Sequence, residues 1–183
     1  STTERKKLVD IRDLKTYFDV EGRTAKAVDG VSFHILENEV FGLVGESGSG
    51  KSVTALSILR LIPNPPGRIE SGEIYFRGRN LLDLSWDDMH EIRGNEISMI
   101  FQEPMTALNP VYTIGFQLRE AIQKHEDVTK EEADDRAAHM LSLVGIPDGK
   151  HRLKNYPHQF SGGMRQRAMI AMALALHPAL LIA

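Results

Sequence analysis

One octapeptide constrains this chain more than any other feature. Gly45, Glu46, Ser47, Gly48, Ser49, Gly50, Lys51 and Ser52 satisfy every fixed position of G-x-x-x-x-G-K-[ST]. Its flanks supply the context that the pattern requires. The short apolar run Val40–Val44 reads as a strand before it, and Val53–Ile62 carries apolar residues at helical spacing after it, stopped by Pro63, Pro65, Pro66 and Gly67. Strand, glycine-rich loop and helix in that order describe a phosphate-binding loop on an α/β fold. The glycines let the backbone curl so that successive N–H groups face one point, where the helix N-terminus adds partial positive charge. Lys51 would neutralise β- and γ-phosphates there, and the Ser52 hydroxyl would serve as a hard-oxygen ligand to Mg²⁺. The bland alternative is a glycine-rich turn with an incidental lysine, and the matched flanks weigh against it.

Composition agrees with such a fold and excludes others. A length of 183 residues is about one ordinary domain, and hydrophobic and charged fractions of 42% and 26% rule out a disordered or collagen-like chain. The absence of cysteine removes disulfide scaffolds, thiolate metal sites and a cysteine nucleophile, and points to a reducing compartment. A net charge of −3 argues against bulk nucleic-acid binding while leaving room for a local phosphate site. The basic cluster Arg5–Lys7 has no apolar stretch behind it, so it reads as a solvated arm rather than a secretory signal. The most apolar stretch, Ala168–Ala183, is broken by His177 and Pro178 and falls short of the ~18 residues that span a bilayer. No segment is expected to cross a membrane.

The remaining pattern places further elements around the loop. Leu8–Leu14 and Ala27–Ile35 alternate apolar and polar residues and are expected to pair as antiparallel strands. Gly72–Phe76 and Glu96–Phe101 read as strands, Ser85 with Asp88 opens a short polar helix over 86–93, and Pro104 and Pro110 forbid helix between 102 and 110. A helix over 113–124 places Ile114, Leu118, Ala121 and Ile122 on one face. Thr129 and Glu132 form a capping box, and Gly145 and Pro147 close the helical stretch that runs from about 113 to 145. Ser161, Gly162 and Gly163 open a long helix rich in alanine and methionine, and Ala179–Ala183 reads as a buried strand. No repeat of fixed period is present.

Three stretches then carry a family resemblance. The segment Phe160, Ser161, Gly162, Gly163, Met164, Arg165, Gln166, Arg167 resembles the signature motif of ATP-binding-cassette ATPases, and Gln102 after a strand resembles their Q-loop glutamine. Gln102–Gly115, Tyr156–Ala175 and Leu61–Tyr75 are similar to the oligopeptide/dipeptide importer branch of that family. The resemblance implies an α/β fold: a phosphate-loop NTPase core with an N-terminal antiparallel β layer and a helical subdomain. Residues 1–102 and 166–183 would form the ATP-binding core, and 103–165 the helical subdomain with the signature. It implies ATP and Mg²⁺ as cofactors, with Lys51 and Gln102 in catalytic positions and Ser52 and Gln102 at the metal. Ser161, Gly162 and Gly163 would touch the γ-phosphate of the ATP held by a partner subunit in a head-to-tail dimer. Independently of the resemblance, Ser161 is a good N-cap and the two glycines permit close approach of a ligand, although an ordinary capped helix start has the same pattern. An aromatic should stack on adenine, with Phe18 as the better fit and Tyr17 as its competitor.

The same resemblance implies the setting. The intact protein would power import of peptides or a related small solute such as nickel or glutathione, from the cytoplasmic face of the membrane, with transmembrane permease subunits and, indirectly, a solute-binding protein. No nucleic-acid partner is expected. In the family, the strand seen here as Ala179–Ala183 leads into an aspartate that holds Mg²⁺ and a glutamate that polarises water. The chain is therefore expected to be truncated before them and to bind nucleotide without hydrolysing it. Two alternatives stand beside this: a soluble non-transport ATPase of the same family, and a regulatory fragment with a vestigial nucleotide site. Met164 departs from the family's usual glutamine, and Phe160 from its usual leucine. The seven histidines show no metal-ligand spacing, and Met164, Met169 and Met172 read as core filling.

Overall fold

The structure, a computed structural model, describes residues 5–100 and 108–183. Its contacts divide the chain into two compact units, Ser1–His90 and Glu91–Ala183.

In the first unit, β1 (Lys7–Val20) and β2 (Arg23–Leu36) form an antiparallel hairpin. It turns through Glu21 and Gly22, both at positive φ (51° and 74°), the pairing that matches the right-handed twist of the strands. The other edge of β1 pairs with β3 (Gly67–Phe76), which turns through Arg77 and Gly78 into β4 (Arg79–Asn80), giving the order β2-β1-β3-β4. The expected antiparallel pairing is therefore present, with strands longer than the alternation alone marked. One face buries Val9, Ile11, Leu14, Val28, Ile74 and Phe76.

Helix α1 (Lys51–Ile58) packs on the buried face of this sheet through a pair of hydroxyls, Thr16 Oγ1 and Ser57 Oγ, 2.8 Å apart and buried. Ser57 donates its single proton to the Val53 carbonyl at 2.7 Å, so Thr16 is the donor in the pair. The helix is shorter than its apolar spacing predicts. It ends at Ile58 because Arg60 takes a left-handed conformation (φ 52°), and the guanidinium then donates to the carbonyls of Leu81 and Leu84 at 3.2 and 2.6 Å. The expectation of a strand at Val40–Val44 is also corrected. Those residues pair with no strand among the described residues, Val40 and Val44 are 102% and 90% exposed, and an apolar run without ladder partners is not a strand. Phe41 stacks on Phe33 with centroids 5.1 Å apart.

Helix α2 (Trp86–Ile92) spans the division between the units. In the second unit, β5 (Ile97–Met99) pairs in parallel with β6 (Leu180–Ile182), and three helices form the core: α3 (Ile114–His125), α4 (Lys130–Leu143) and, after the short α5 (Gly149–Arg152), α6 (Gly162–Ala175). Ile114, Leu118, Ile122, Ala133, Ala137, Leu141, Ala168 and Met169 pack together, with Met164 and Met172 against them, as the core-filling reading of the methionines expected. The last strand is less buried than its composition predicts, since Leu181 is exposed while Leu180 is buried.

The helical stretch breaks between α3 and α4, where the capping box restarts it. Thr129 Oγ1 accepts from Glu132 N at 3.2 Å, and Glu132 Oε2 accepts from Thr129 N at 2.9 Å. Thr129→Ala leaves a first-turn donor without its side-chain partner and is expected to lower stability by about 1 kcal/mol, read as a lower urea midpoint at unchanged slope.

Candidate functional site: the phosphate loop

The glycine-rich octapeptide forms a turn that runs directly into α1. Ser49 N–H donates to the Glu46 carbonyl at 3.0 Å, and Gly48 and Gly50 both take left-handed backbone (φ 81° and 93°). Gly50 is the N-cap residue of α1, and no side chain caps that end. Thr54 holds the first turn by donating from both its N–H (2.8 Å) and its hydroxyl (2.7 Å) to the Gly50 carbonyl. Residues 45–49 are exposed, so the turn and the helix start are open to a solute.

Lys51 folds back over this turn. Its ammonium donates to the carbonyls of Gly45 and Glu46, the latter at 3.0 Å. Two of its three donors are thereby engaged, which fixes the cation at the mouth of the loop and leaves one donor for an anion. A fixed cation, an uncapped helix start and glycines that keep side chains out of the turn are what a polyphosphate needs. Ser52 is exposed in the first helical turn, where its hydroxyl could take a hard cation beside the phosphates. Gln102, the second residue expected at the metal, lies outside the described residues.

The two aromatic candidates point to opposite faces of β1. Phe18 lies two residues from Thr16, on the α1 face, and its ring edge together with Ile62 occupies the space over Gly67: a Cβ there would sit 2.7 Å from Phe18 Cε1 and 2.5 Å from Ile62 Cγ2. Tyr17 is on the other face, where its hydroxyl donates to Asp29 Oδ1 at 2.7 Å. That bond to a carboxylate, with some burial, pushes the phenol up to about 12.

In the second unit, Ser161 caps α6, its hydroxyl accepting from Met164 N at 3.2 Å. A Cβ on either Gly162 or Gly163 would meet nothing within 4 Å, so the helix start is unobstructed. Among the described residues no group of three or more metal-ligating side chains comes together, and His158 stacks on Tyr156.

Against this geometry, residues 28–183 match the ABC transporter family. The chain belongs to that family. As an ABC chain it is 58% identical over 176 residues to a probable peptide ABC transporter ATP-binding protein of Sinorhizobium fredii, covering 96% of this chain and 52% of that protein. It is 51% identical over 177 residues to the oligopeptide transport ATP-binding protein OppD of Bacillus subtilis, covering 97% and 49%. With the dipeptide transport ATP-binding protein DppD of the same organism the identity is 52%, covering 97% and 53%. The chain thus spans about half the length of these curated relatives. Among solved structures, the dimeric bacterial ABC transporter cassette MJ0796 superposes with a TM-score of 0.81 at 27% identity, over 94% of this chain and 72% of that one. The same cassette in a post-hydrolysis state, with ADP and Pi bound, gives a TM-score of 0.80 at 28% identity, with the same coverage. The fold is that of an ABC ATPase, as the sequence resemblance implied. No helix among the described residues is long and apolar enough to cross a membrane.

One polar residue of this ABC chain went unmarked in the sequence. Gln117 on α3 is 7% exposed, and its amide makes three hydrogen bonds to the backbone of the preceding turn. The available signal was its spacing: it falls between Ile114 and Ala121 on the apolar face, where a polar side chain must find partners.

Proposed function

We propose that this chain is the ATP-binding part of a subunit that powers peptide import across the cytoplasmic membrane. The observation that carries the reading is the Lys51 ammonium held over an uncapped helix start by the loop's own carbonyls, in a chain that shares half its residues with peptide transport ATP-binding proteins. Gly45–Ser52 cradle the triphosphate, Lys51 neutralises its outer phosphates, and Ser52 with Gln102 holds Mg²⁺. Ser161, Gly162 and Gly163 face the ATP of a second ATP-binding subunit, like or unlike this one, in a head-to-tail dimer. Residues 1–102 and 166–183 act as the core, and 103–165 as the helical subdomain that meets the permease. The protein sits peripherally at the cytoplasmic face, and a solute-binding protein acts through the permease. A polypeptide of these 183 residues alone binds nucleotide without turning it over, because none of its residues is matched to the family's water-polarising glutamate.

Adenine stacking falls to Phe18, which shares a sheet face with α1, whereas Tyr17 is anchored to Asp29 on the other. Phe18→Ala is expected to weaken MgATP binding about tenfold, and Tyr17→Ala to change it less than about twofold, in titration calorimetry. Equal losses for both would reassign the adenine contact. The importer reading is tested by cross-linking from positions 108–125 in the assembled complex. Adducts to a transmembrane subunit are expected, and their consistent absence would remove the proposed contact.

A further inference from the structure

The end of α1 remote from the phosphate loop carries a residue whose backbone and side chain make opposite demands. Arg60 N–H donates to the Ser57 carbonyl at 3.0 Å and Leu61 N–H to the Leu56 carbonyl at 2.9 Å, the paired bonds that close a helix around one left-handed residue. Glycine is the usual occupant of that position, and here arginine holds it at φ 52°. A strained conformation where glycine would sit without strain points to a use for the side chain.

The side chain is a tether. Its guanidinium donates through Nη1 to the carbonyls of Leu81 at 3.2 Å and Leu84 at 2.6 Å, and lies 4.7 Å from the centroid of the Trp86 ring. The anchor it reaches is built into the sheet. Asn80 on β4 accepts with Oδ1 from Ile74 N–H on β3 and from Leu82 N–H, both at 3.2 Å, and Leu81 is fully buried. β3 in turn pairs with β1, where Gly67 stands opposite Phe18. Apolar packing by itself grips α1 weakly, since two of its three buried residues are Thr54 and Ser57. Just past Arg60, Ile62 shares the space over Gly67 with the Phe18 ring. Arg60 therefore stands between the helix that starts at the phosphate loop and the ring on β1, and it ties the first to the sheet that carries the second.

We propose that Arg60 is a positioning residue that aligns the phosphate loop with Phe18, so that one MgATP meets both at once. This rests on the assignment of Phe18 to adenine above. It goes beyond that assignment because it concerns how the two halves of the site are held in register, not which residues touch nucleotide. Loss of the tether leaves each half competent by itself. A ligand that spans both then meets a site whose halves are aligned only part of the time, and its affinity falls by that fraction.

The test uses the intact subunit and two probes, MgATP and inorganic triphosphate with Mg²⁺, which fills the loop alone. Arg60→Gly removes the tether and gives the helix end its favoured residue, while Arg60→Lys keeps a cation on a flexible stem that can meet one carbonyl. Titration calorimetry is expected to show the Kd for MgATP raised about tenfold in Arg60→Gly and about threefold in Arg60→Lys, with triphosphate within about twofold of native in both. Equal weakening of the two ligands marks a general structural role and overturns the proposal, as does MgATP affinity in Arg60→Gly within about twofold of native. A thermal melt verifies folding, and if Arg60→Gly does not fold, the ratio of the two affinities in Arg60→Lys decides in the same way. Native protein that binds triphosphate as tightly as MgATP would instead refute the adenine contact itself, a failure seen before any variant is made.

Discussion

Lys51→Ala is expected to raise the Kd of the intact protein for MgATP by about 10- to 100-fold, the loss of a charge-assisted contact worth about 1.5–3 kcal/mol. Turnover is expected to fall further, by about 10²–10³-fold, because charge on the transferring phosphoryl group grows in the transition state, where a fixed cation matters most. The substitution also removes the bonds that the ammonium makes to the Gly45 and Glu46 carbonyls, so the loop loses a fastening as well as a charge. Lys51→Arg separates the two effects. A planar guanidinium retains the charge but not the compact geometry that reaches both carbonyls, and it should recover only part of the affinity. Titration calorimetry with MgATP, beside a thermal melt to confirm folding, gives the answer, and native affinity in Lys51→Ala would refute the phosphate-loop assignment.

The second large effect is expected at Gly50. A Cβ at this position would lie 2.4 Å from the Ala27 carbonyl oxygen and 3.4 Å from Val28 Cγ2, and the φ of 93° is one that L-residues rarely adopt. Both penalties act at once, since the backbone must change conformation and α1 must withdraw from β2 to admit even a methyl group. Gly50→Ala should therefore cost about 2 kcal/mol or more of stability and, by displacing the loop, abolish measurable nucleotide binding. Gly48→Ala makes an instructive comparison. It shares the positive φ but its Cβ would meet nothing within 4 Å, so only the conformational penalty of about 1–2 kcal/mol remains. Equal effects for the two variants in a chemical melt would show that contact with β2 is not what fixes the loop.

How far the fold was legible depended on whether a signal was local. Thr129 with Glu132 and Ser161 before its glycines are capping signatures whose partners lie within three residues, and each appears with the bonds it predicts. The β1–β2 pairing followed from alternation, and positive φ at Glu21 and Gly22 closed the hairpin. Two misses lacked such a signal. Helix α1 ends at Ile58 in a local cap, Arg60 N–H donating to the Ser57 carbonyl at 3.0 Å and Leu61 N–H to the Leu56 carbonyl at 2.9 Å, but the residue at positive φ is Arg60, which its side-chain type does not announce. At Val40–Val44, apolar composition indicates a wish for burial but cannot supply the neighbouring strand that turns it into a ladder. In the site, the octapeptide marked Lys51 and Ser52 as candidates at once, whereas which of Phe18 and Tyr17 shares a face with α1 depends on the sheet, and a strand with register shifts conceals it.

The hydroxyl pair of Thr16 and Ser57 has a consequence for assembly. Hydrophobic packing between a helix and a sheet tolerates rotation and sliding, since one aliphatic contact replaces another at little cost. A directional bond between two buried hydroxyls does not. With Ser57 committed to Val53, Thr16 has one acceptor, and any rotation of α1 about its axis strands a buried donor at a cost of about 1–3 kcal/mol. The helix that bears the phosphate loop is thus indexed against the strand that bears Phe18. A misdocked first unit is rejected by an unsatisfied proton before any ligand is present to correct it.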